Sequence, residues 1–291
     1  LANALKGSRK RLSQIVTESG IDAFTREDFF HITGRVSQDP SRLVLVGGQA
    51  LETWGILLNV LAPTGNQHPL TEDTDWLGSV KDAEWLASLL GNEQSVELNC
   101  PSMDDSTPNT AVMFLQRPDG RVLLMDFLRC VTGLNEKDIK TLAVTLDVPH
   151  ADGSKVRLQV LHPLHCLASR MANLQTHPAK RQGNGPMQAV WAVDIVRAFL
   201  YALAHRGDAA QTRKACHSVA ELAAYGPAEY CYLNFNLDPL SAVTSDVITA
   251  CGEGFADNDW PRTVARINGK RQKWQDRHEQ RRLAQERRVN R

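Results

Sequence analysis

Three aspartates stand out in this 291-residue sequence for the ion they could hold together. Asp73 and Asp75 flank Thr74, and on an extended segment alternate side chains leave one face, roughly 7 Å apart by strand rise. Two carboxylates aimed the same way repel each other. Divalent cations relieve that repulsion, and hard oxygen ligands suit Mg²⁺ or Mn²⁺. Asp126 is the one ionisable group in Val122-Leu123-Leu124-Met125-Asp126-Phe127-Leu128. A carboxylate buried there needs a cation or a hydrogen-bonding cluster, unless it opens on a cleft at the strand's end. If the strands carrying these residues are neighbours, the three carboxylates converge as a two-metal phosphoryl-transfer site requires. The plain alternatives are a solvated acidic turn over Glu72–Asp75 and a strand-end cap for Asp126. Trp76 and Leu77 count against the first, since an acidic surface turn rarely runs straight into an apolar pair.

A phosphate site is suggested by Gly47-Gly48. The short apolar run Arg42 to Val46 reads as a strand, and Gln49 to Val60 has the spacing of an amphipathic helix through Ala50, Trp54, Leu57 and Leu58. Strand, paired glycines and helix let a phosphate approach the backbone at the positive end of the helix dipole. Paired glycines also occur in ordinary turns, where positive φ alone explains them.

The elements that would position these groups follow from periodicity and turn chemistry. Leu5 to Val16 and the segment opening at Arg26 are expected helices, the second capped by Thr25 with Asp28 in the capping-box position. Pro63 to Pro69 is a loop delivering the chain into a strand over Leu70 to Leu77. Asp82 to Leu90 is a helix stopped by Gly91, and Ser95 to Asn99, Ala111 to Gln116 and Arg121 to Leu128 are strands, the last two joined by Pro118-Asp119-Gly120. Ala143 to Val148 and Val156 to Leu161 are strands around Asp152-Gly153, and beyond Pro163 the pattern becomes helical. A domain change near residue 160 gives expected domains 1–160 and 161–291.

Composition narrows the class. No run approaches the eighteen or so uninterrupted apolar residues of a membrane span, no basic-apolar leader opens the chain, and six scattered cysteines lack CxxC spacing. These features point to a soluble, cytoplasmic protein with reduced thiols. Lys+Arg and Asp+Glu balance at 33 each, yet residues 262–291 hold 11 basic residues and 3 acidic ones. That Arg-rich tail is a candidate for RNA phosphates, with Trp260 and Trp274 available to stack; a solvated helix without an apolar stripe is the competing expectation. His162 and His165 lack a third ligand at a convincing spacing and are expected to be domain-junction residues. Trp76 is expected in the core.

The combination Gly47-Gly48, Asp73-Thr74-Asp75 and Asp126 resembles the signature of the DNA polymerase beta-like nucleotidyltransferase superfamily. Within it, Val46-Gly47-Gly48-Gln49-Ala50-Leu51 followed by Thr71-Glu72-Asp73-Thr74-Asp75 looks most like the AbiEii-type toxins and small-molecule nucleotidyltransferases. The resemblance covers about residues 40 to 130. It implies an α+β fold, a mixed β-sheet domain flanked by helices and followed by a mostly helical C-terminal domain. It also implies an enzyme that moves a nucleoside monophosphate from an NTP to an acceptor hydroxyl on an RNA end, a small molecule or a protein, with Mg²⁺ or Mn²⁺ on Asp73, Asp75 and Asp126. Gly47, Gly48 and Gln49 would receive the phosphates, and Arg170 and Asp194 would stand where toxin-type relatives carry a lysine and a later aspartate. Arginine there departs from the family pattern. An antitoxin would be the partner of a toxin-type member. An inactive fold that binds a nucleotide or a partner without chemistry is the alternative, and retention of all three carboxylates counts against it.

Overall fold

Apolar runs bounded by turn residues build a seven-stranded mixed sheet. The computed structural model describes residues 20–63, 73–102, 105–150 and 152–289. The strands are β1 (Val44–Leu45), β2 (Thr74–Leu77), β3 (Ser95–Asn99), β4 (Asn109–Gln116), β5 (Val122–Leu128), β6 (Val144–Pro149) and β7 (Lys155–Val160). Their spatial order is β3-β4-β5-β2-β1-β7-β6. β2 runs parallel to β5 and β1 parallel to β7, while the other neighbours are antiparallel. Leu45, Trp76, Met113, Leu115, Leu123, Met125 and Phe127 are fully buried, so the central strands carry the core. Trp76 is therefore a core residue, as its apolar neighbours suggested.

The helices of this unit begin where their caps dictate. α1 (Arg26–Val36) starts from a Thr25/Asp28 capping box. α2 (Gly47–Leu58) follows β1, and α3 (Val80–Leu90) starts from a Ser79/Asp82 capping box and ends at Gly91. One short helix, α4 (Glu136–Leu142), was not among the expected elements; Asn135 caps it by accepting from the Lys137 amide at 2.9 Å. The hairpin at Pro118-Asp119-Gly120 is present, with Gly120 at φ +88°. The expected helix over Leu5 to Val16 and most of the Pro63–Pro69 loop lie outside the described residues, as do the first residues of the strand expected from Leu70.

The Asp28 carboxylate is more than a cap. It is fully buried and pairs with Arg117 Nε at 2.9 Å and Arg121 Nη1 at 2.6 Å, fastening α1 to the β4–β5 hairpin. Burial alone would raise its pKa, but hydrogen bonds from Arg121 and Thr25 outweigh that and hold it below the ordinary carboxylate value.

Chain compactness divides the fold into two units, one within Leu1–Thr53 and His68–His162, the other within Trp54–Gln67 and Pro163–Arg291. The second is helical: α5 (Pro163–Thr176), α6 (Asn184–His205), α7 (Ala209–Ala223), α8 (Gly226–Phe235), α9 (Ser245–Ala250) and α10 (Trp260–Val289), with short 3₁₀ and π turns between them. α6 is long and apolar enough to cross a membrane by length and composition, but half of it is buried, with Trp191, Ile195, Val196 and Leu200 in the core of its unit. The end of α2 belongs here too: the Trp54 ring meets Phe199 at 6.2 Å, and the Trp191 indole donates to the Val60 carbonyl at 3.4 Å.

α10 corrects the expectation of a tail without an apolar seam. Trp260, Ile267 and Trp274 are buried, and Arg271 is buried beside them, pairing with Asp238 and lying 4.7 Å over the Tyr232 ring. The tryptophans anchor the helix, so they are not available to stack on bases.

Because its folded pKa is depressed, the Asp28 carboxylate contributes stability above its unfolded pKa and loses it as pH falls through the folded one. Asp28→Asn should destabilise the protein by about 2 kcal/mol at neutral pH. Urea unfolding of both proteins from neutral to strongly acidic pH should show the gap closing at the acid end; a gap independent of pH would assign the effect to packing.

Candidate metal centre

Two adjacent parallel strands bring the acidic residues together. In the β2–β5 register Asp75 lies opposite Asp126, and partners in register point to the same side of a sheet. Asp73 immediately precedes β2, and two residues of extended chain return a side chain to the same face. One carboxylate oxygen from each of Asp73, Asp75 and Asp126 lies within 4.8 Å of the others, and all three residues are half-buried. Three oxygen donors with no nitrogen or sulfur among them fit Mg²⁺ or Mn²⁺. Their spread suits ligands closing on one ion or bridging a pair roughly 3.5–4 Å apart.

Gly47 sets the floor of this cluster. It sits at φ +68°, and the Val46 amide donates to the Asp75 carbonyl at 2.9 Å, drawing the start of α2 against β2. A Cβ at position 47 would fall 2.0 Å from Asp75 Oδ2. Only glycine permits both the backbone conformation and that approach. The first turn of α2 thus begins beside the carboxylates, and its unpaired amides offer the positive end of a helix dipole. The Gln49 side chain is only 2% exposed, and its Oε1 has no hydrogen-bond partner among the described residues.

Sequence reasoning missed the residue that orients Asp126. Asn109 Nδ2 donates to Asp126 Oδ1 at 2.7 Å. The Asn109 amide is itself fixed, because the Thr107 hydroxyl donates to Asn109 Oδ1 at 2.9 Å and accepts from the Asn109 backbone amide at 3.2 Å. Arg129 in turn donates to the Thr107 carbonyl at 2.8 Å. The β4–β5 register shifts between Asn109 and Ala111, and the Thr110 hydroxyl reaches the carbonyls of Gly78 and Phe127 at 2.9 and 3.1 Å. Such bulges re-aim side chains at strand ends. The available signal was Thr107-Pro108-Asn109-Thr110, a polar run entering an apolar strand.

The remaining candidates belong to the helical unit or precede it. Arg170 on α5 donates to Gln188 Oε1 at 2.7 Å, and Asp194 on α6 pairs with Arg197 at 2.5 Å. Both have partners inside the helical unit, and neither belongs to the acidic cluster. Among the described residues His162 and His165 join no group with metal-binding geometry. The cysteines form no disulfide, and burial pushes the thiols of Cys166, Cys216 and Cys231 up to about 12, which leaves them poor nucleophiles at neutral pH.

No family model and no curated relative matches this chain. Among solved structures, an antigenic nucleotidyltransferase-like protein from Paracoccidioides brasiliensis is similar at 14% identity and a TM-score of 0.34, over 66% of this chain and 94% of that one. JHP933 from Helicobacter pylori is similar at 12% identity and a TM-score of 0.34, over 90% of this chain and all of that one. Likenesses so distant carry no inference about chemistry, which rests on the residues themselves.

Two outcomes follow from the crowding of the carboxylates. In chelator-treated buffer Asp75→Asn should melt above the wild type, because one of three mutually repelling charges is gone, and added Mn²⁺ should raise the melting temperature of the wild type alone. Equal Mn²⁺ shifts in both proteins would remove Asp75 from the site. Gly47→Ala should cost about 1–2 kcal/mol through its backbone and, by displacing the Asp75 carboxylate, weaken Mn²⁺ binding measured calorimetrically on the folded variant. Unchanged affinity would show that the Asp75 position does not depend on Gly47.

Proposed function

We propose that this chain is a metal-dependent nucleotidyltransferase of the polymerase beta-like kind, which moves a nucleoside monophosphate from an NTP to an acceptor hydroxyl. The observation that carries the reading is the convergence of Asp73, Asp75 and Asp126 beside Gly47 at the start of α2. Carboxylates alone would repel a triphosphate, so the same cluster that disfavours bare substrate favours substrate brought with cations.

Asp73 and Asp75 would hold the cation that accompanies the triphosphate, and Asp126 would share in holding a second. Bound Mg²⁺ or Mn²⁺ would neutralise charge on the phosphates and polarise the reacting phosphorus. The backbone amides of Gly47, Gly48 and Gln49 would receive phosphate oxygens. Asp126, turned by Asn109, would take the proton of the acceptor hydroxyl. The new bond forms between that oxygen and the α-phosphorus, the bond from the α-phosphorus to the bridging oxygen breaks, and pyrophosphate leaves with the electron pair. Positioning and charge neutralisation supply the rate, with no covalent enzyme intermediate.

The finer reading, an AbiEii-type toxin enzyme working in the cytoplasm, is supported by the spelling of Gly47-Gly48-Gln49-Ala50-Leu51 and Thr71-Glu72-Asp73-Thr74-Asp75. Free cysteines agree with a reducing compartment.

Incubation with each labelled NTP, Mg²⁺ and total RNA or cell lysate should give a labelled product with the wild type, and Asp75→Ala and Asp126→Asn should reduce it by about 100-fold or more. Product formed equally by all three proteins, or by none across varied acceptors, would overturn the reading.

A further inference from the structure

α10 carries most of its positive charge along one line. At the α-helical repeat, positions 262, 266, 270, 273, 277, 281 and 288 fall within about 100° of one another, and all seven are Arg or Lys: Arg262, Arg266, Lys270, Lys273, Arg277, Arg281 and Arg288. Every one is exposed. Asp276, Glu279 and Glu286, the acidic residues of α10, fall outside that sector. The ridge runs about 39 Å along the helix. It lies beside the buried seam of Trp260, Ile267, Arg271 and Trp274, so the anchored half of the helix fixes its orientation within the unit.

The partners of these charges sharpen the pattern. Off the ridge, Arg282 pairs with both Glu279 and Glu286. On it, Arg277 pairs with Glu229 of α8 at 3.0 Å. Among the described residues the other six ridge cations form no ion pair. A solvated helix held up by its own salt bridges would spread its charges as i, i+4 pairs of opposite sign, as around Arg282. The ridge instead concentrates like charges, at a cost in self-repulsion that a polyanion would remove.

We infer that the α10 ridge binds the phosphodiester backbone of a nucleic acid. Its regular run of guanidinium and ammonium groups matches a line of phosphates. A membrane surface is disfavoured: an interfacial helix needs an apolar face, and among the described residues the only large hydrophobic exposed on α10 is Leu283 at 40%. With both tryptophans buried, the ridge reads charge and not base identity, so binding should be insensitive to sequence and steep in salt. This inference concerns binding alone and stands apart from the transferase reading.

The test uses fluorescence anisotropy on the full chain, with labelled duplex RNA, single-stranded RNA and duplex DNA of one length, in a salt series. Vesicles rich in anionic lipid and poly-glutamate serve as competitors. The variants are Arg281→Gln, its off-ridge neighbour Arg282→Gln, and the triple variant Arg266→Gln/Lys270→Gln/Arg281→Gln. All keep strong helix formers at exposed positions, and circular dichroism checks the fold. Each lost ridge contact should lower the salt slope by about 0.7–0.9, and the triple variant should bind about 100-fold more weakly near 0.1 M salt. Arg281→Gln should weaken binding clearly more than Arg282→Gln, although both remove one charge. The preferred probe then identifies which nucleic acid supplies the phosphates. Equal losses at 281 and 282, no binding at low salt, or tighter binding to vesicles or poly-glutamate than to any nucleic acid would overturn the inference. Repeating the measurement on Asp75→Asn separates the two readings, since the ridge should bind whether or not the metal centre is intact.

Discussion

The parallel pairing of β2 with β5 in the register that sets Asp75 against Asp126 is the constraint on which the candidate site depends. A slip of one residue would turn one of the two carboxylates to the opposite face of the sheet. Fully buried neighbours resist that slip: Trp76 and Phe127 are partners in the same register, as are Thr74 and Met125. The apolar residues between the aspartates thus do structural work for the charged ones, because exposing Trp76 and Phe127 would cost far more than separating two carboxylates gains. The sheet core holds together a cluster that electrostatics alone would push apart.

Two further contacts limit how far that cluster can relax. On one side Gly47 presses its backbone against the Asp75 carboxylate, and on the other the Asn109 amide holds Asp126. The Thr107 hydroxyl decides which end of the Asn109 amide faces Asp126, since it donates to Oδ1 and leaves the NH₂ for the carboxylate. That hydrogen bond occupies one oxygen of Asp126 and fixes the plane of its carboxylate.

Much of this was legible in the residues, and the reasons differ from place to place. The capping box at Thr25 and Asp28, the Gly91 stop and the Pro118-Asp119-Gly120 turn are local devices, read from a few adjacent residues, and the chain uses them as expected. The three aspartates were recognisable from residue type and from the apolar setting of Asp126. Their meeting was not, because it depends on a parallel pairing between segments about fifty residues apart, which periodicity does not encode. Asn109 escaped for the same reason: its role comes from a bulge opposite β5. The buried seam of α10 was missed because two tryptophans, one isoleucine and an arginine over fifteen residues leave the average hydropathy of a long basic helix strongly polar. Arg271 is read correctly only when Asp238 and Tyr232 are seen beside it.

The neutral total charge conceals a division that bears on any anionic ligand. With 11 basic and 3 acidic residues after position 261, the preceding residues hold 22 basic against 30 acidic. A polyanion would be repelled by most of such a chain, so attraction has to come from concentrated positions and not from an overall field. Two places concentrate it in different ways. At the acidic cluster, the positive charge would have to be imported as cations, which makes phosphate binding there dependent on metal. Along α10 it is built into Arg and Lys side chains, so binding there responds to salt and not to chelation. Chelator and salt are therefore independent handles on the two features, which no uniform electrostatic attraction would allow.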